Sequence, residues 1–326
     1  MLNAIKRDFG LEAFELSLVN GHEGGRNQVY ICCKDDIKRV LRISYLSDRT
    51  LENYVAETEF VRYLNENGAP VAGVFSSVNG KRVEQYESDG KKVHASLFDY
   101  AKGMLISDNG YRYREGAPLE EYFVNTGKAL GKIHRLSKEY GREKRRADYF
   151  DVYNKTRIHA LMGEKYEKLK TAIFRRLDEF RALCMDKDSY GLVHFDFSDG
   201  NYHIDMSNGD ITVYDFDNCI NAWYMFDLAN LWTHGVGWFQ FEPDADKRMS
   251  LMAWYFEKIL EGYRMETTVS DGLLEKLPLF IDMVLIENIV DEFECCLREG
   301  EEVDDEDIED AAMCLIHDVP YAGFGE

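Results

Sequence analysis

Two acidic segments in the second half of the chain constrain most strongly what it can be. The apolar segment 192–193 runs into Asp196, and the apolar segment 211–214 runs into Asp215. An Asn-Gly-Asp sequence between them is a turn signal typical of a hairpin. We therefore predict that paired strands hold Asp196, Asn201 and Asp215 close together, although these residues are well separated along the chain.

These residue types fit a magnesium and phosphate site. Mg2+ takes hard oxygen ligands, and one or two side chains normally hold it together with phosphate oxygens and water. Asn201 and Asp215 can supply two such ligands. An aspartate near them, Asp196, can accept the proton of an attacking hydroxyl while the metal neutralises charge on the phosphoryl group. The segment therefore predicts phosphoryl transfer.

The spacing of these residues resembles the catalytic-loop pattern of kinases, His-x-Asp-x-x-x-x-Asn followed by an apolar strand and Asp-Phe. Here the pattern is His194-Phe195-Asp196, then Asn201, then Asp215-Phe216, and Asp227-Leu228-Ala229 comes later. With these motifs the chain resembles the aminoglycoside phosphotransferase and choline kinase family. It departs from that family at Phe195, where members usually have glycine.

The resemblance implies a fold and a separate role for each of its two lobes. We expect an α+β, two-lobed protein kinase-like fold. A small N-terminal lobe of antiparallel sheet with one helix, residues 1–100, would bind the nucleotide. A larger, mainly helical C-terminal lobe, residues 101–326, would carry catalysis and the acceptor. The expected cofactors are ATP and Mg2+, with Asp196 as the catalytic residue and Asn201 and Asp215 as metal ligands.

The resemblance also assigns residues to the nucleotide. A glycine-rich hairpin containing Gly24 and Gly25 would let backbone amides approach the phosphates, because glycine has no Cβ in the way. Arg42 stands where related enzymes carry a phosphate-contacting lysine or arginine, although a solvated strand residue is the alternative. The planar guanidinium of Arg42 can hold phosphate oxygens and a carboxylate together.

A helix predicted from about residue 49 to 65 carries the carboxylate that would pair with Arg42. Glu57 lies on its apolar side, so we expect Glu57 to be the partner, with a solvent-facing Glu57 or a role for Glu59 as alternatives. Strand residues Phe98 and Tyr100 would offer backbone groups to adenine just before a hinge.

The amino-acid composition limits the kinds of molecule that the protein is expected to bind. The formal net charge of −21 opposes nucleic-acid binding and suits a cationic substrate. Seven cysteines without Cys-x-x-Cys spacing predict reduced, mostly buried thiols. The chain lacks an apolar run long enough to cross a membrane and an N-terminal secretory signal, so we expect no membrane contact and a cytoplasmic location.

The sequence contains weaker signals for the acceptor site than for the catalytic residues. Aromatic residues concentrate between positions 223 and 263, and most are expected in the core. The glycines at 233–238 predict an open loop that forms one wall of the acceptor pocket. An acidic run at 299–310 is either a solvated surface or one side of a cleft for a polycation. Our candidates for acceptor binding are Asp199, Trp232, His234 and Trp238.

Three other polar residues have structural interpretations. His194 would pack and hold the catalytic loop, and His134 would be a helix-capping or core residue. Asp217 would either support a metal or face solvent. The basic segment 142–146 is expected to be a solvated loop, with an anion or partner contact as the alternative.

The leading hypothesis is an ATP-dependent phosphotransferase that acts on a hydroxyl of a small cationic molecule, such as an aminoglycoside, choline or a related amine or amino alcohol. A protein serine/threonine kinase similar to stress-response kinases is the second hypothesis. A nucleotide-binding pseudoenzyme is the third, and the presence of Asp196, Asn201 and Asp215 argues against it.

Overall fold

A computed structural model describes residues 1–19, 27–45, 49–88, 90–140 and 146–321. The chain forms two compact units. The N-terminal unit comprises Met1–Pro118 and Asp199–Asp217, and the C-terminal unit comprises Leu119–Ser198 and Asn218–Glu326. This division differs from the boundary predicted at residues 100 and 101. Residues 101–118 and the later segment 199–217 join the N-terminal unit because they pair with each other and with its other residues.

An antiparallel sheet dominates the N-terminal unit. Its hydrogen-bonded order along the main path is β1-β2-β3-β6-β4, and β5 also pairs with β6. The strands are β1 (Glu15–Leu18), β2 (Asn27–Lys34), β3 (Ile37–Ser44), β4 (Val74–Phe75), β5 (Glu84–Ser88) and β6 (Lys91–Asp99).

The alternation along β3 places core and polar groups on opposite faces. Leu41 and Ile43 join a buried cluster with residues of the first helix, α1 (Leu2–Asp8). Successive strand residues point to opposite sides of a sheet, so Arg42 faces away from that cluster. The sheet therefore carries a buried guanidinium on the face opposite its α1 core.

The predicted helix at 49–65 is α2 (Leu51–Glu66). It begins at Thr50, whose side chain accepts from the Asn53 amide while the Asn53 side chain accepts from the Thr50 amide. This reciprocal arrangement satisfies two backbone donors that a helix start leaves without partners. Glu57 lies on the buried side of α2, among apolar residues such as Phe60 and Val61.

The strand pairing predicted around the acidic segments is wrong. The strand before Asp215, β9 (Ile211–Val213), pairs with β8 (Tyr202–Ile204), and not with the segment before Asp196. The 205–210 connection does form a turn, and bridges from Val213 to Val71 and from Ile204 to Met104 tie this hairpin into the N-terminal unit. The sequence pattern located the turn but could not distinguish β8 from the apolar segment preceding Asp196.

Helices make up most of the C-terminal unit. A short antiparallel pair of strands, β7 (Tyr190–Val193) and β10 (Ile220–Trp223), lies among them. The helices are α3 (Leu119–Glu139), α4 (Tyr149–Val152), α5 (Lys155–Leu161), α6 (Glu167–Arg181), α7 (Tyr224–Phe239), α8 (Ala245–Arg264), α9 (Asp271–Leu274), α10 (Leu277–Glu299) and α11 (Asp305–His317).

Glycines allow α3 and α8 to pack closely. A Cβ at Gly127 would lie 1.9 Å from the Ile259 carbonyl oxygen, and one at Gly262 would lie 1.8 Å from that of Val124. Any larger residue at either position would push the helices apart. This approach places His134 of α3 within hydrogen-bonding distance of a tyrosine on α8, as described below.

The open loop predicted at 233–238 is also wrong, because that segment is the C-terminal part of α7. Gly235 serves packing, since a Cβ there would lie 2.3 Å from the Tyr255 ring. Tertiary packing has overridden the low helix propensity of glycine. Among the described helices, none combines the length and apolar character that a membrane span needs.

Candidate active site

Asp215 lies at the exit of β9, where its carboxylate is accessible. Its φ of 61° is in the left-handed region, which is uncommon for residues other than glycine. The Asp215 side chain is 46% exposed, and its Oδ1 lies 3.5 Å from Arg42 Nη1. The strand therefore ends in a partly exposed carboxylate beside a fixed cation.

Arg42 joins that carboxylate to Glu57. The Arg42 Nη2 donates to Glu57 Oε2 at 2.7 Å, so the predicted ion pair is present. The Phe98 ring lies 5.1 Å from the guanidinium carbon. Burial alone would lower the pKa of Arg42, but the Glu57 carboxylate raises it overall. The guanidinium is therefore a permanent positive charge, held in place by a partner that is itself buried.

Asn201 is held next to Asp215 by the backbone. The Tyr214 amide donates to the Asn201 carbonyl oxygen at 2.9 Å. An amide oxygen and a carboxylate oxygen are the hard donors that Mg2+ prefers. Within the described part of the chain, no group of three or more His, Cys, Asp or Glu residues could hold a metal. The Asn201 amide and the Asp215 carboxylate fit an ion that takes two protein ligands and completes its coordination with phosphate oxygens and water.

Asp217 anchors the segment that follows Asp215. It is buried, and its Oδ2 accepts from Asn27 Nδ2 at 2.9 Å. Arg49 forms an ion pair with its carboxylate and donates to its backbone oxygen at 2.7 Å. Of the two alternatives left by the sequence, solvent exposure is therefore wrong, and the carboxylate fixes the backbone two residues after Asp215.

The loop bearing Asp196 belongs to the C-terminal unit and follows β7. The backbone amides of His194 and Phe195 donate to Asp227 Oδ2 and Oδ1 at 2.8 and 2.9 Å. The Asp196 amide donates to His194 Nδ1 at 3.3 Å. Phe195 adopts a φ of 69°, which is strained for a bulky residue. One buried aspartate thus fixes the backbone immediately before Asp196.

Asp227 has a further partner on α3. His134 Nε2 lies 3.0 Å from Asp227 Oδ2, and His134 Nδ1 lies 3.0 Å from the Tyr263 hydroxyl of α8. Burial lowers the pKa of His134, and Asp227 opposes that shift only in part. In the neutral imidazole, Nε2–H donates a hydrogen bond to Asp227, and Nδ1 accepts a hydrogen bond from the Tyr263 hydroxyl. Sequence reasoning did not predict the contacts among His134, Asp227 and Tyr263, because these residues lie in three separate helices. Only Asp227 belonged to a motif, Asp227-Leu228-Ala229.

The structure describes only some of the other residues that were predicted to bind the nucleotide. Gly24 and Gly25 lie outside the described residues. Phe98 lies in the β6 ladder, with Val40 and Val74 as its strand partners. Tyr100 follows β6, and its ring contacts His203 with centroids 5.6 Å apart. The adenine contact of Phe98 and Tyr100 stays a prediction.

The predicted acceptor residues are spread over different environments. Trp232 is buried, and the Trp238 ring packs 5.5 Å from that of Phe123. His234 is exposed on α7, and Asp199 is half-buried in the N-terminal unit. Their role in acceptor binding stays a prediction.

The acidic run at 299–310 has a partly structural use. Asp304 caps α11, and Asp305 accepts from Lys165 and Tyr166 at 2.7 and 2.9 Å. Carboxylates in a first helical turn also interact favourably with the helix dipole. Of the basic segment 142–146, only Arg146 is described, and it is buried with its Nε donating to the Cys219 carbonyl oxygen at 2.7 Å.

These features, in this order along the chain, define a phosphotransferase of the protein kinase-like class. The sequence model of the phosphotransferase enzyme family, APH, matches residues 19–258. Since this match covers most of the chain, the chain belongs to that family.

Known proteins resemble the chain over most of its length. The amicoumacin kinase of Bacillus subtilis (strain 168) is 27% identical over 258 residues, which are 78% of this chain and 74% of that protein. A solved amicoumacin kinase in complex with AMP-PNP, Ca2+ and Ami superimposes with a TM-score of 0.82 at 20% identity, over 99% of this chain and 94% of the other. A microcompartment-associated aminopropanol kinase superimposes with a TM-score of 0.70 at 17% identity, over 98% of each chain.

These findings confirm three predictions from the sequence. The family is the predicted one, and the fold is the predicted protein kinase-like fold with an antiparallel N-terminal sheet and a mainly helical remainder. The predicted class of enzyme, a phosphotransferase with an alcohol group as acceptor, is confirmed with them.

Proposed function

We propose that this protein transfers the γ-phosphate of ATP to a hydroxyl group of a small cationic molecule and uses Mg2+ as its metal. The observation that carries the proposal is the contact of Arg42 with both Glu57 and Asp215. A permanent cation held between a buried and an exposed carboxylate suits a site for polyphosphate and metal. A purely structural ion pair would have no need of the second, exposed carboxylate.

Each residue has a role in this reaction. The acceptor oxygen forms a bond to the γ-phosphorus as the bond from that phosphorus to the β–γ bridging oxygen breaks, and ADP leaves. Asp196 orients the acceptor hydroxyl and takes its proton. Asn201 and Asp215 would hold Mg2+, which supplies neutralisation of the phosphate charge when bound. Arg42, positioned by Glu57, binds phosphate oxygens, and Phe98 and Tyr100 offer backbone groups to adenine.

Two further facts support a small, cationic acceptor. Two of the similar proteins are named for small-molecule acceptors, amicoumacin and aminopropanol, and aminopropanol carries both an amine and a hydroxyl. The net charge of −21 attracts cations to the protein surface. Neither of these two names refers to a protein substrate, so the protein kinase hypothesis is less well supported.

The test measures ATP consumption with Mg2+ against a panel of acceptors. The panel contains amino alcohols, choline, aminoglycosides, neutral sugars and a generic protein substrate. We expect turnover with at least one amine-bearing alcohol and its loss in the isosteric Asp196→Asn variant. Turnover with the protein substrate alone would contradict the proposal, and so would nucleotide binding without turnover of any acceptor.

A further inference from the structure

The segment that carries Asp215 is connected to strand β3 at two places. Arg42 of β3 contacts the Asp215 carboxylate at 3.5 Å. Two residues further along the same strand, the Ser44 hydroxyl donates to Asn27 Oδ1, and Asn27 Nδ2 donates to Asp217 Oδ2 at 2.9 Å. Residues two apart on a strand face the same side of a sheet, so the two connections run side by side. The reaction described above makes no use of the second connection.

The Asn27 amide links a hydroxyl and a carboxylate that are both buried. Asn27 is the first residue of β2 and lies opposite Ser44 in the ladder between β2 and β3. Ser44 and Asp217 are buried, and a buried carboxylate requires donors close to it. Arg49 supplies one through its ion pair with Asp217, and Asn27 supplies another. The Asn27 amide thus has one complementary orientation, with its oxygen towards the hydroxyl and its nitrogen towards the carboxylate.

The backbone at Asp215 needs a constraint of this kind. Its φ of 61° is in the left-handed region, which a residue other than glycine keeps only where surrounding contacts hold it. On one side, the Tyr214 amide donates to the Asn201 carbonyl oxygen at 2.9 Å. On the other side, Asp217 is held by the hydrogen bond from Asn27. With both flanks fixed, the Asp215 carboxylate keeps a defined direction.

We propose that Asn27 is a positioning residue that sets the affinity for Mg2+, because it holds Asp217 and thereby keeps Asp215 in the geometry that binds the metal. This inference rests on the proposed function, in which Asp215 is a metal ligand. Residues that orient a metal ligand without touching the metal change metal affinity by about 10- to 100-fold when they are substituted. The Asp217 carboxylate is paired with Arg49, so the second aspartate of the Asp-Phe-Asp sequence holds the first in place.

Other contacts keep the segment folded when the Asn27 amide is changed. Phe216 is buried, and its ring packs edge-on against that of Phe60 in α2, with centroids 6.0 Å apart. Arg49 donates to the backbone oxygen of Asp217 at 2.7 Å, and this bond does not involve the Asp217 carboxylate. Substitutions of Asn27 should therefore leave the unit folded, so that their effect on metal binding can be measured separately.

The test exchanges the amide and the carboxylate between positions 27 and 217. Asn27→Asp alone places two carboxylates opposite each other, and Asp217→Asn alone leaves one amide nitrogen facing another donor. In the double variant, Asn27→Asp with Asp217→Asn, the new amide at position 217 donates to the new carboxylate at position 27. That carboxylate still accepts from Ser44, and Arg49 donates to the amide oxygen. Every hydrogen bond of the network therefore has a donor and an acceptor again.

Calorimetry measures the affinity for AMP-PNP with excess Mg2+ and with EDTA, and the ratio of the two affinities reports the contribution of the metal. Each single variant should lower this ratio by about 10-fold, although one adds a negative charge and the other removes one. The double variant should return close to the wild-type ratio. Steady-state kinetics should show the same order in the apparent KM for Mg2+.

Asn65→Asp is the matched control, since it makes the same isosteric change in the same unit. It removes the hydrogen bond from Asn65 Nδ2 to the Val71 carbonyl oxygen, which is 3.0 Å long, and it should lower the melting temperature while the Mg2+ ratio stays at the wild-type value. If a single variant does not fold, Asn27→Ala removes both hydrogen bonds without adding charge and should lower the ratio in the same way.

Three results would overturn the inference. The first is a lower melting temperature in Asn27→Asp or Asn27→Ala with an unchanged Mg2+ ratio, because the link would then be structural alone. The second is a double variant whose ratio is as low as that of the single variants. The third is opposite changes of the ratio in the two single variants, which would show that net charge sets it. A wild type whose affinity for AMP-PNP does not depend on Mg2+ would instead remove the metal site of the proposed function.

Discussion

Asp215 and Asp227 both follow buried apolar segments, yet their environments are opposite. Asp227 is fully buried, and its two oxygens accept from two backbone amides and contact His134. Asp215 is 46% exposed and forms an ion pair with Arg42 at 3.5 Å. A carboxylate surrounded by protein donors holds the backbone, whereas an accessible carboxylate can bind a metal and the cation beside it can bind phosphate. Burial and donor count thus distinguish Asp227, which fixes the backbone, from Asp215, which we propose binds the metal.

The cations beside the two aspartates differ in the same way. Arg42 keeps its charge because the Glu57 carboxylate raises its pKa, and we propose that this charge contacts the phosphates. His134 is neutral, since burial lowers its pKa, and it serves Asp227 as a hydrogen-bond donor. The contrast predicts that substitutions at Asp215 and Arg42 will affect activity, whereas those at Asp227 and His134 will affect stability.

The largest effect is expected for Asp215→Asn. Loss of the proposed metal ligand removes several kcal/mol of charge stabilisation, so kcat should fall at least about 10³-fold. The melting temperature should stay within about 2 °C of the wild type, because an accessible side chain contributes little to stability. Steady-state kinetics and thermal unfolding measure the two effects. Asp210→Asn, in the exposed β8–β9 turn, is the control and should keep full activity. An unfolded Asp215→Asn variant would contradict the contrast between Asp215 and Asp227, because it would show that Asp215 also stabilises the fold.

Asp227→Ala should have the opposite profile. The variant leaves the amides of His194 and Phe195 and the imidazole of His134 buried without their acceptor, which should cost about 3 to 5 kcal/mol of unfolding free energy. Urea denaturation followed by circular dichroism measures the loss. Asp227→Asn keeps one acceptor oxygen and should lose less. Wild-type stability in Asp227→Ala would show that the hydrogen bonds to Asp227 do not hold the loop.

Arg42→Lys tests whether the guanidinium plane matters beyond its charge. A lysine ammonium cannot reproduce the planar fork that contacts Glu57 and Asp215 together, so we expect kcat/KM for ATP to fall by about 10- to 100-fold. Arg39→Lys, on the same strand, is the matched control, because Arg39 lies over the Phe75 ring. Equal behaviour of the two variants would indicate that Arg42 acts only as a point charge.

The smallest expected effect is a change in pH dependence. The folded pKa of His134 is lowered, while the unfolded chain takes up a proton near pH 6.5. Its contribution to stability is therefore present above pH 6.5 and is lost as the pH falls, by up to about 1.4 kcal/mol per pH unit. His134→Gln should show a shallower loss between pH 6.5 and 5 in denaturation experiments, whereas His234→Gln, at an exposed position, should keep the wild-type slope. An unchanged slope in His134→Gln would mean that this histidine is charged in the folded protein.

Local sequence predicted those parts of the molecule that depend on local spacing. Helix α2 and the 208–210 turn have clear periodic or turn signals, and each appears close to its predicted position. The Arg42–Glu57 pair required the family resemblance as well, because spacing alone left Glu59 as an alternative. The pair is present because β3 and α2 bring both side chains to a buried position.

The incorrect predictions involve contacts between distant parts of the chain. The α7 glycines were interpreted as a loop, since nothing in the sequence shows that Tyr255 would pack against Gly235. The β8–β9 pairing was missed because two short apolar segments compete for one partner. His134 gave no local sign of Asp227 or Tyr263, which are 93 and 129 positions away. Such contacts depend on helix packing, which a residue pattern does not encode.

The chain order of the N-terminal unit has a consequence for biosynthesis. Its last strands, β8 and β9, are encoded after 80 residues of the C-terminal unit, from Leu119 to Ser198. The growing chain therefore cannot complete the unit when Pro118 leaves the ribosome. At about 5 to 20 residues per second, residue 217 follows roughly 5 to 20 seconds later. During that interval Val71 and Met104 lack their strand partners, so the nascent protein offers chaperones an unpaired backbone edge.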